Sequence, residues 1–189
     1  MKWAFSLLTI AVLLINANQS LAAQEGTVSG KLFYIELLGP GVLMSANLNS
    51  RFHSNVRTGL GYSIGIGLGV DKFENRFKKF WNDDSPNFSH FTKDARPVYS
   101  FPIGLNYVLG KPNRASAFEF GAGVTLLSRK VSLFNYEIVK PGHVIGFLNF
   151  MYRLTPVNGG VSVRVGFTPI IGTGGDLYPM GAIGFGYAF

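Results

Sequence analysis

The stretch that decides the fold is Leu60-Gly61-Tyr62-Ser63-Ile64-Gly65-Ile66-Gly67-Leu68-Gly69, in which apolar and very small residues alternate without a break. A period of two places successive side chains on opposite faces of a β-strand. One face of this segment carries large apolar side chains, and the opposite face carries only glycine and serine. The segment is therefore predicted to be a strand with one strongly apolar face.

The same alternation recurs along the rest of the chain, most clearly from Tyr99 to Leu109 and from Met44 to Arg51. It predicts eight strands, over residues 31–38, 42–52, 57–70, 98–109, 116–127, 144–153, 161–170 and 181–189. The first two strands are separated at Gly39-Pro40-Gly41, because proline cannot donate to a strand ladder and glycines flank it. A kink within one long strand is the alternative interpretation of this tripeptide.

Hydrophobic residues are abundant but dispersed. Charged residues make up 14% of the chain, against roughly a quarter in a typical soluble protein, and the mean hydropathy is +0.23. After residue 22, no segment approaches the roughly 20 consecutive apolar residues that a membrane-spanning helix needs. Together with 24 glycines and an aromatic content of 14%, this composition favours strands that face lipid.

The first 22 residues have the three parts of a secretory signal peptide. Lys2 is followed by an apolar run from Trp3 to Ile15 and by a polar region that ends in Ser20-Leu21-Ala22. Small residues at these positions suit a signal peptidase, so we expect export and cleavage after Ala22, which leaves a mature domain over residues 23–189. A short N-terminal anchor helix is the alternative, but the apolar run is short for that role.

A soluble β-sandwich would alternate in the same way, and the second face of the strands separates the two folds. A sandwich exposes that face to water and usually decorates it with Lys, Glu and Thr, whereas here it is mostly Gly, Ser, Ala and Asn. Such small side chains fit the narrow lumen of an eight-stranded barrel. Aromatic residues near the strand ends are typical of membrane-interface girdles, and they are Phe52, Tyr99, Tyr107, Tyr152 and Tyr187. The predicted fold is an all-β, eight-stranded antiparallel transmembrane β-barrel.

The lengths of the connections agree with this fold. Outer-membrane barrels have short periplasmic turns and longer outer loops. With the N-terminus in the periplasm, the short connections are residues 53–56, 110–115 and 154–160, and the long ones are residues 71–97, 128–143 and 171–180. Only the first outer connection, residues 39–41, is shorter than expected. The pattern predicts the cell outer membrane of a Gram-negative bacterium as the location, with Phe189 on the periplasmic side.

When the alternation of inward and outward positions is continued along each predicted strand, five charged residues are expected inside the barrel. They are Glu36, Arg51, Glu119, Arg153 and Arg164. Buried charges must pair, so these residues are predicted to form a lumenal charge network. Filling the lumen with salt bridges is the favoured role, and a selectivity constriction or a catalytic carboxylate are the alternatives.

The last strand, Ile183 to Phe189, resembles the C-terminal signal of outer-membrane barrels. Gly184, Tyr187 and Phe189 carry the resemblance, which consists of alternate apolar residues, a glycine near the end and a terminal Phe. Ala182 departs from the pattern, because that position is usually polar. The resemblance implies recognition by the barrel-assembly machinery during insertion.

In size and strand number the mature chain resembles the small OmpA/OmpX-type barrels. Tyr34 to Gly41, followed by Ser45-Ala46-Asn47 and Arg51-Phe52, is similar to uncharacterised outer-membrane β-barrel proteins of Bacteroidetes. Phe101 to Tyr107 and Gly166 to Pro169 are similar to the same group. These resemblances imply a fold and a location, and they imply no established activity.

Charge and cysteine content restrict the partners. The formal net charge is +7, and most basic residues lie in the predicted connections rather than along one face. Outer-membrane lipid and the phosphates of lipopolysaccharide therefore fit better than nucleic acid as partners. The absence of Cys excludes a disulfide framework, a thiolate metal site and a lipoprotein. No cofactor is expected, and the three His have no recognisable metal-site spacing.

The long loop over residues 71–97 interleaves basic and aromatic residues. The residues predicted for an outer-loop interaction are Phe73, Phe77, Lys78, Lys79, Phe80 and Trp81. Their spacing suits a short amphipathic helix at the outer membrane surface, which would engage lipopolysaccharide or a partner. The alternative is a loop that folds its aromatic residues over the barrel mouth.

Two other functions compete with a structural or surface-interaction role. A lipid A-modifying acyltransferase or deacylase would use a His together with a Ser or a carboxylate. His53-Ser54 falls in a predicted periplasmic turn, on the wrong side for lipid A of the outer leaflet, whereas His90 lies in the outer loop. A narrow, porin-like pore is the third possibility, although a lumen filled by side chains leaves no wide aqueous path. The sequence therefore predicts a non-enzymatic outer-membrane barrel.

Overall fold

The computed structural model describes residues 30–53, 56–70, 96–131, 142–175 and 177–189. Eight long strands and two very short ones make up most of this part of the chain. They are β1 (Lys31–Leu38), β2 (Met44–Arg51), β3 (Gly59–Val70), β4 (Pro97–Gly110), β5 (Ser116–Val131), β6 (Gly142–Leu154), β7 (Gly160–Phe167), the short β8 (Ile170–Ile171) and β9 (Leu177–Tyr178), and β10 (Gly181–Ala188). All eight predicted strands are present.

The eight long strands form a closed barrel. Each pairs antiparallel with its neighbours along the chain, from β1–β2 through β5–β6 to β7–β10. β10 also pairs with β1, with Leu32 opposite Ala188 and Leu38 opposite Ala182. Closure removes the free sheet edge, so strands can satisfy their backbone hydrogen bonds without water. The prediction of an eight-stranded antiparallel barrel is confirmed.

One end of the barrel carries the three connections over residues 52–58, 111–115 and 155–159, and we call it the turn end. Lys31 and Phe189 also lie at the turn end, where Phe189 N–H donates to Lys31 O at 3.0 Å. The opposite end, where β1 leads into β2 and β4 begins, is called the loop end. The side chains that fill the lumen differ between the turn end and the loop end.

The outer face of the barrel is an apolar belt. Large apolar side chains are exposed on every one of the eight long strands; Ile66 and Leu105, for example, are 55% and 56% exposed. Away from the strand ends, the described outward positions carry no charged side chain. A continuous exposed apolar surface of this extent marks a membrane-facing or partner-facing surface.

The inner face is lined by small residues because the lumen of eight strands is only wide enough for side chains to fill. A β-carbon at Gly65 on β3 would collide with the amide of Asn47 on β2. A β-carbon at Gly123 on β5 would collide with the ring of Phe147 on β6. The glycines that make the sequence alternate therefore provide space for larger side chains of the neighbouring strands.

The tripeptide Gly39–Gly41 forms a 3-10 turn between β1 and β2, so it is a turn and not a kink in one strand. All three of its residues are buried. Leu38 N–H donates to Leu43 O at 2.7 Å, and Val42 N–H donates to Gly39 O at 3.1 Å. The turn folds into the barrel instead of projecting from it.

The predicted seventh strand is divided in the structure. β7 ends at Phe167 and β8 begins at Ile170, yet both lie along β6 in one register, with Phe150 opposite Phe167 and Phe147 opposite Ile170. Pro169 lies in the interruption because it has no N–H to give to a ladder. The prediction treated the two pieces as one continuous strand.

β5 extends beyond its predicted end at residue 127. Its pairing with β6 shifts between Leu126, opposite Val144, and Val131, opposite Gly142. The extra residues form a β-bulge that exposes Arg129 and Lys130 at the loop end.

Candidate functional site

The five charged residues predicted for the lumen all point inward, from five different strands. Their exposed fractions are 2% for Glu36, 6% for Arg51, 1% for Glu119, 7% for Arg153 and 1% for Arg164. Each lies at an inward position of the alternation, which is why strands distant in sequence deliver them to one place. This group is called the lumenal charge cluster below.

Glu119 on β5 is the centre of the lumenal charge cluster. Its Oε2 accepts a hydrogen bond from Arg153 Nη1 at 3.0 Å, and its Oε1 accepts one from Arg164 Nη2 at 3.1 Å. The same Arg164 nitrogen lies 3.7 Å from Glu36 Oε2, an ion pair that is too long for a hydrogen bond. One carboxylate thus holds two arginines, while Glu36 is attached more loosely.

Arg51 joins the cluster indirectly. It donates to the side-chain oxygens of Asn49 and Asn106, and its Nη1 donates to Gly59 O at 2.8 Å. Among the described residues it has no ion pair with a carboxylate. Asn49 Nδ2 donates to Glu119 Oε1 at 3.3 Å and so connects Arg51 to the centre. The two asparagines were not predicted as site residues. Their inward positions in the alternation could have placed them in the lumen.

Tyr34 on β1 is a further member that the sequence did not indicate. It is 4% exposed, and the Arg164 guanidinium carbon lies 4.0 Å from the centre of its ring. A guanidinium over an aromatic face gains a cation–π attraction. β1 carries apolar or aromatic residues on both faces, so alternation alone does not distinguish Tyr34 from the outward Phe33 and Ile35.

The loop end of the lumen is closed by a second, apolar cluster, which we call the apolar cap. Its buried members are Val42, Val98, Leu127, Ile145, Phe147, Ile170, Tyr178 and Met180. Two hydrogen bonds hold the turn between β1 and β2 beside the apolar cap. Thr125 Oγ1 donates to Pro40 O at 2.9 Å, and Ser100 Oγ donates to Gly41 O at 2.9 Å. These contacts cross the lumen from β4 and β5 and fix the turn inside the barrel.

Two residues that flank this turn have left-handed backbone conformations. Leu38 has φ 62° and Val42 has φ 77°. For a β-branched residue such as Val42 this conformation is rare and costs on the order of 1–3 kcal/mol. It persists because Val42 is buried in the apolar cap and its neighbours hold the turn in place.

The residues predicted as an assembly signal lie on the closing strand β10 or directly after it. Gly184 faces the lumen, whereas Tyr187 and Phe189 are 58% and 59% exposed. Ile183 and Phe185 are also exposed and point outward, on the same face of the strand as Tyr187. The residues predicted for the outer-loop interaction, Phe73, Phe77, Lys78, Lys79, Phe80 and Trp81, lie outside the described residues.

Two of the three histidines, His53 and His143, lie among the described residues. His53 is exposed at the turn end, and Ser54 and His90 lie outside the described residues. His143 Nδ1 lies 3.2 Å from Leu127 O at the loop end. In the described part of the chain, no group of three or more His, Cys, Asp or Glu could hold a metal ion. The described ranges also contain no helix that is long and apolar enough to cross a membrane.

A closed eight-stranded barrel with an apolar belt outside and a filled lumen inside is the fold of an outer-membrane β-barrel. A solved structure supports this class: the N-terminal β-barrel domain of Pseudomonas aeruginosa OprF aligns with a TM-score of 0.52 over 88% of this chain and 100% of that domain. The two sequences are 10% identical, so the likeness shows the fold alone. No protein-family model and no curated protein matches the chain.

Proposed function

We propose that this chain is an integral outer-membrane protein without enzymatic activity, whose barrel is a closed structural anchor that presents its loop end to a surface partner. The observation that carries the proposal is the pairing of an apolar outer belt with a lumen closed twice, by the lumenal charge cluster and by the apolar cap. The belt suits burial in lipid, and the two closures leave no wide aqueous path. A porin-like pore is therefore the weaker alternative.

The proposed route to the membrane begins with cleavage of the signal peptide over residues 1–22 and continues through the periplasm. The exposed aromatic rings of Tyr187 and Phe189 on the closing strand are accessible to the barrel-assembly machinery. The turn end then faces the periplasm and the loop end faces outward. We place the protein beside the uncharacterised outer-membrane barrels of Bacteroidetes, on the sequence resemblance alone.

Lipopolysaccharide is the proposed partner of the loop end. Arg129 and Lys130 are exposed on the β5 bulge, beside Tyr99, which is 52% exposed and whose N–H donates to Ser128 Oγ at 3.0 Å. An aromatic ring at the edge of an apolar belt with cations beyond it suits an interface with anionic head groups. The residues Phe73, Phe77, Lys78, Lys79, Phe80 and Trp81 belong to the same proposal.

Membrane fractionation tests the proposal. We expect the protein in the outer-membrane fraction and a change of gel mobility between unheated and boiled samples, because a closed barrel resists detergent unfolding until it is heated. A product that remains in the soluble periplasmic fraction with a single mobility would refute the anchor.

Two further measurements separate the alternatives. Planar bilayers that contain the purified barrel should show no steady conductance, whereas a porin-like function requires one. Lipid A mass spectra should be the same with and without the gene. An acyl-chain difference that is lost in His90→Ala would instead establish the lipid A-modifying enzyme.

A further inference from the structure

One arginine at the turn end of the barrel contacts all three connections there. Arg57, in the connection between β2 and β3, donates from Nη1 to Pro112 O and to Arg114 O, both at 3.1 Å. Its Nη2 donates to Thr155 O in the connection between β6 and β7. A single guanidinium therefore links all three turn-end connections and fixes their relative positions.

This arrangement forms an open cleft at the turn-end mouth of the lumen. Its lining includes Arg57, Lys111, Arg114, Arg153, Thr58 and Thr155. Lys111 and Arg114 are exposed on the rim, and the buried Arg153 lies where the cleft meets the lumenal charge cluster. We call this the cationic cleft. The Nε of Arg57 is buried and has no hydrogen-bond partner among the described residues.

The three connections at this end carry basic side chains and no acidic ones. Residues 52–58, 111–115 and 155–159 contain no Asp or Glu. The cleft residue Arg153 pairs with Glu119, and Glu119 also pairs with Arg164. Desolvation by burial, and after it the positive charge of Arg153, lowers the pKa of Arg57.

We propose that the cationic cleft binds a phosphate group. The exposed ammonium of Lys111 and guanidinium of Arg114, with the hydroxyl of Thr58 in the same lining, are donors of the kind that phosphate oxygens accept from. The phosphate is either free in solution or the head group of a phospholipid. A lipid source suits the surroundings, because the apolar Leu109 and Phe118, which flank the connection that carries Lys111 and Arg114, are 57% and 55% exposed.

The test uses full-length mature protein folded in a phosphate-free maltoside detergent. Calorimetric titration with inorganic phosphate is compared with sodium chloride at equal ionic strength. We expect saturable phosphate binding whose dissociation constant rises at least tenfold in the double variant Lys111→Gln/Arg114→Gln. Both side chains are exposed, so the variant should keep heat-modifiable mobility.

The matched control is Arg129→Gln/Lys130→Gln, which removes the same charge from exposed positions at the loop end. It should bind phosphate as the unchanged protein does. Equal weakening in both double variants would show bulk attraction to a basic protein and overturn the proposal, as would phosphate binding no tighter than chloride.

A second arm identifies the source of the phosphate. Micelles doped with phosphatidylglycerol are compared with micelles doped with diacylglycerol, and the midpoint of thermal unfolding is measured. A rise with phosphatidylglycerol that exceeds the rise with inorganic phosphate, and that is lost in Lys111→Gln/Arg114→Gln, assigns the cleft to a lipid head group. An effect of inorganic phosphate alone assigns it to a soluble phosphate. No rise in either arm contradicts the site.

Discussion

Glu119 illustrates how much a single residue decides inside a narrow barrel. It accepts hydrogen bonds from two arginines and from Asn49, and it is 1% exposed. Removal of a charge from water is costly unless partners and hydrogen bonds replace the water, and here the partners come from three other strands. The ion pairs of Glu119 therefore link β5 to its ladder partner β6 and also, through side chains across the lumen, to β7.

Replacement of Glu119 by Gln should lower the free energy of unfolding by about 3–5 kcal/mol, because it leaves Arg153 buried without a carboxylate. The measurement is a urea titration of the barrel folded in lipid vesicles. Glu36→Gln is the control and should cost about 1–3 kcal/mol, since Glu36 has one ion pair at 3.7 Å. Equal losses in the two variants would contradict Glu119 as the centre.

At the scale of one element, β6 shows how a strand serves two environments. Phe147 is 2% exposed and packs in the apolar cap against the glycine-lined wall of β4 and β5. Phe150 points outward, is 45% exposed and lies edge-on to Phe120 with ring centres 6.1 Å apart. The ring of Phe147 is therefore surrounded by other side chains inside the barrel. The ring of Phe150 lies on the outer surface of the barrel.

Phe147→Ala should destabilise the barrel by about 3–5 kcal/mol because it leaves a cavity that the glycine wall cannot fill. Phe150→Ala should cost about 1 kcal/mol, mainly the lost edge-on ring contact. The free energies of unfolding of both variants are compared from urea midpoints and slopes measured in the same vesicles. Similar costs for the two rings would mean that the apolar cap does not pack as described.

The eight strands and their phase could be predicted because alternation is local information. Glycine opposite large apolar residues in β3 already encodes which face is inside, and the same rule places Glu119 and Arg164 inward. Contacts between connections are not local. The backbone conformation of Val42 and the three acceptors of Arg57 depend on partners that lie far away in sequence. Pro169 interrupts its strand for a local reason, and the prediction overlooked it.

For the whole molecule, the apolar belt gives the sharpest distinction between a membrane barrel and a soluble one. Arginine in the middle of the belt, as in Ile64→Arg, should cost about 2–4 kcal/mol in a bilayer, because that position lies deep in hydrocarbon. Leu109→Arg, at the end of β4, should cost about 0–1 kcal/mol. The free energy of unfolding of both variants is measured by urea titration in lipid vesicles. In a soluble protein, both exposed positions would accept arginine at little cost.

The apolar cap also makes the interior of the barrel different at its two ends. It separates the loop end from Glu119 and its arginines by a layer of apolar side chains, while Arg153 lies both in that cluster and in the cationic cleft at the opposite end. Arg153, at 7% exposed, is the member of the lumenal charge cluster with the largest exposed fraction. The lumen therefore changes in polarity along its axis, from charged groups toward the turn end to apolar groups toward the loop end.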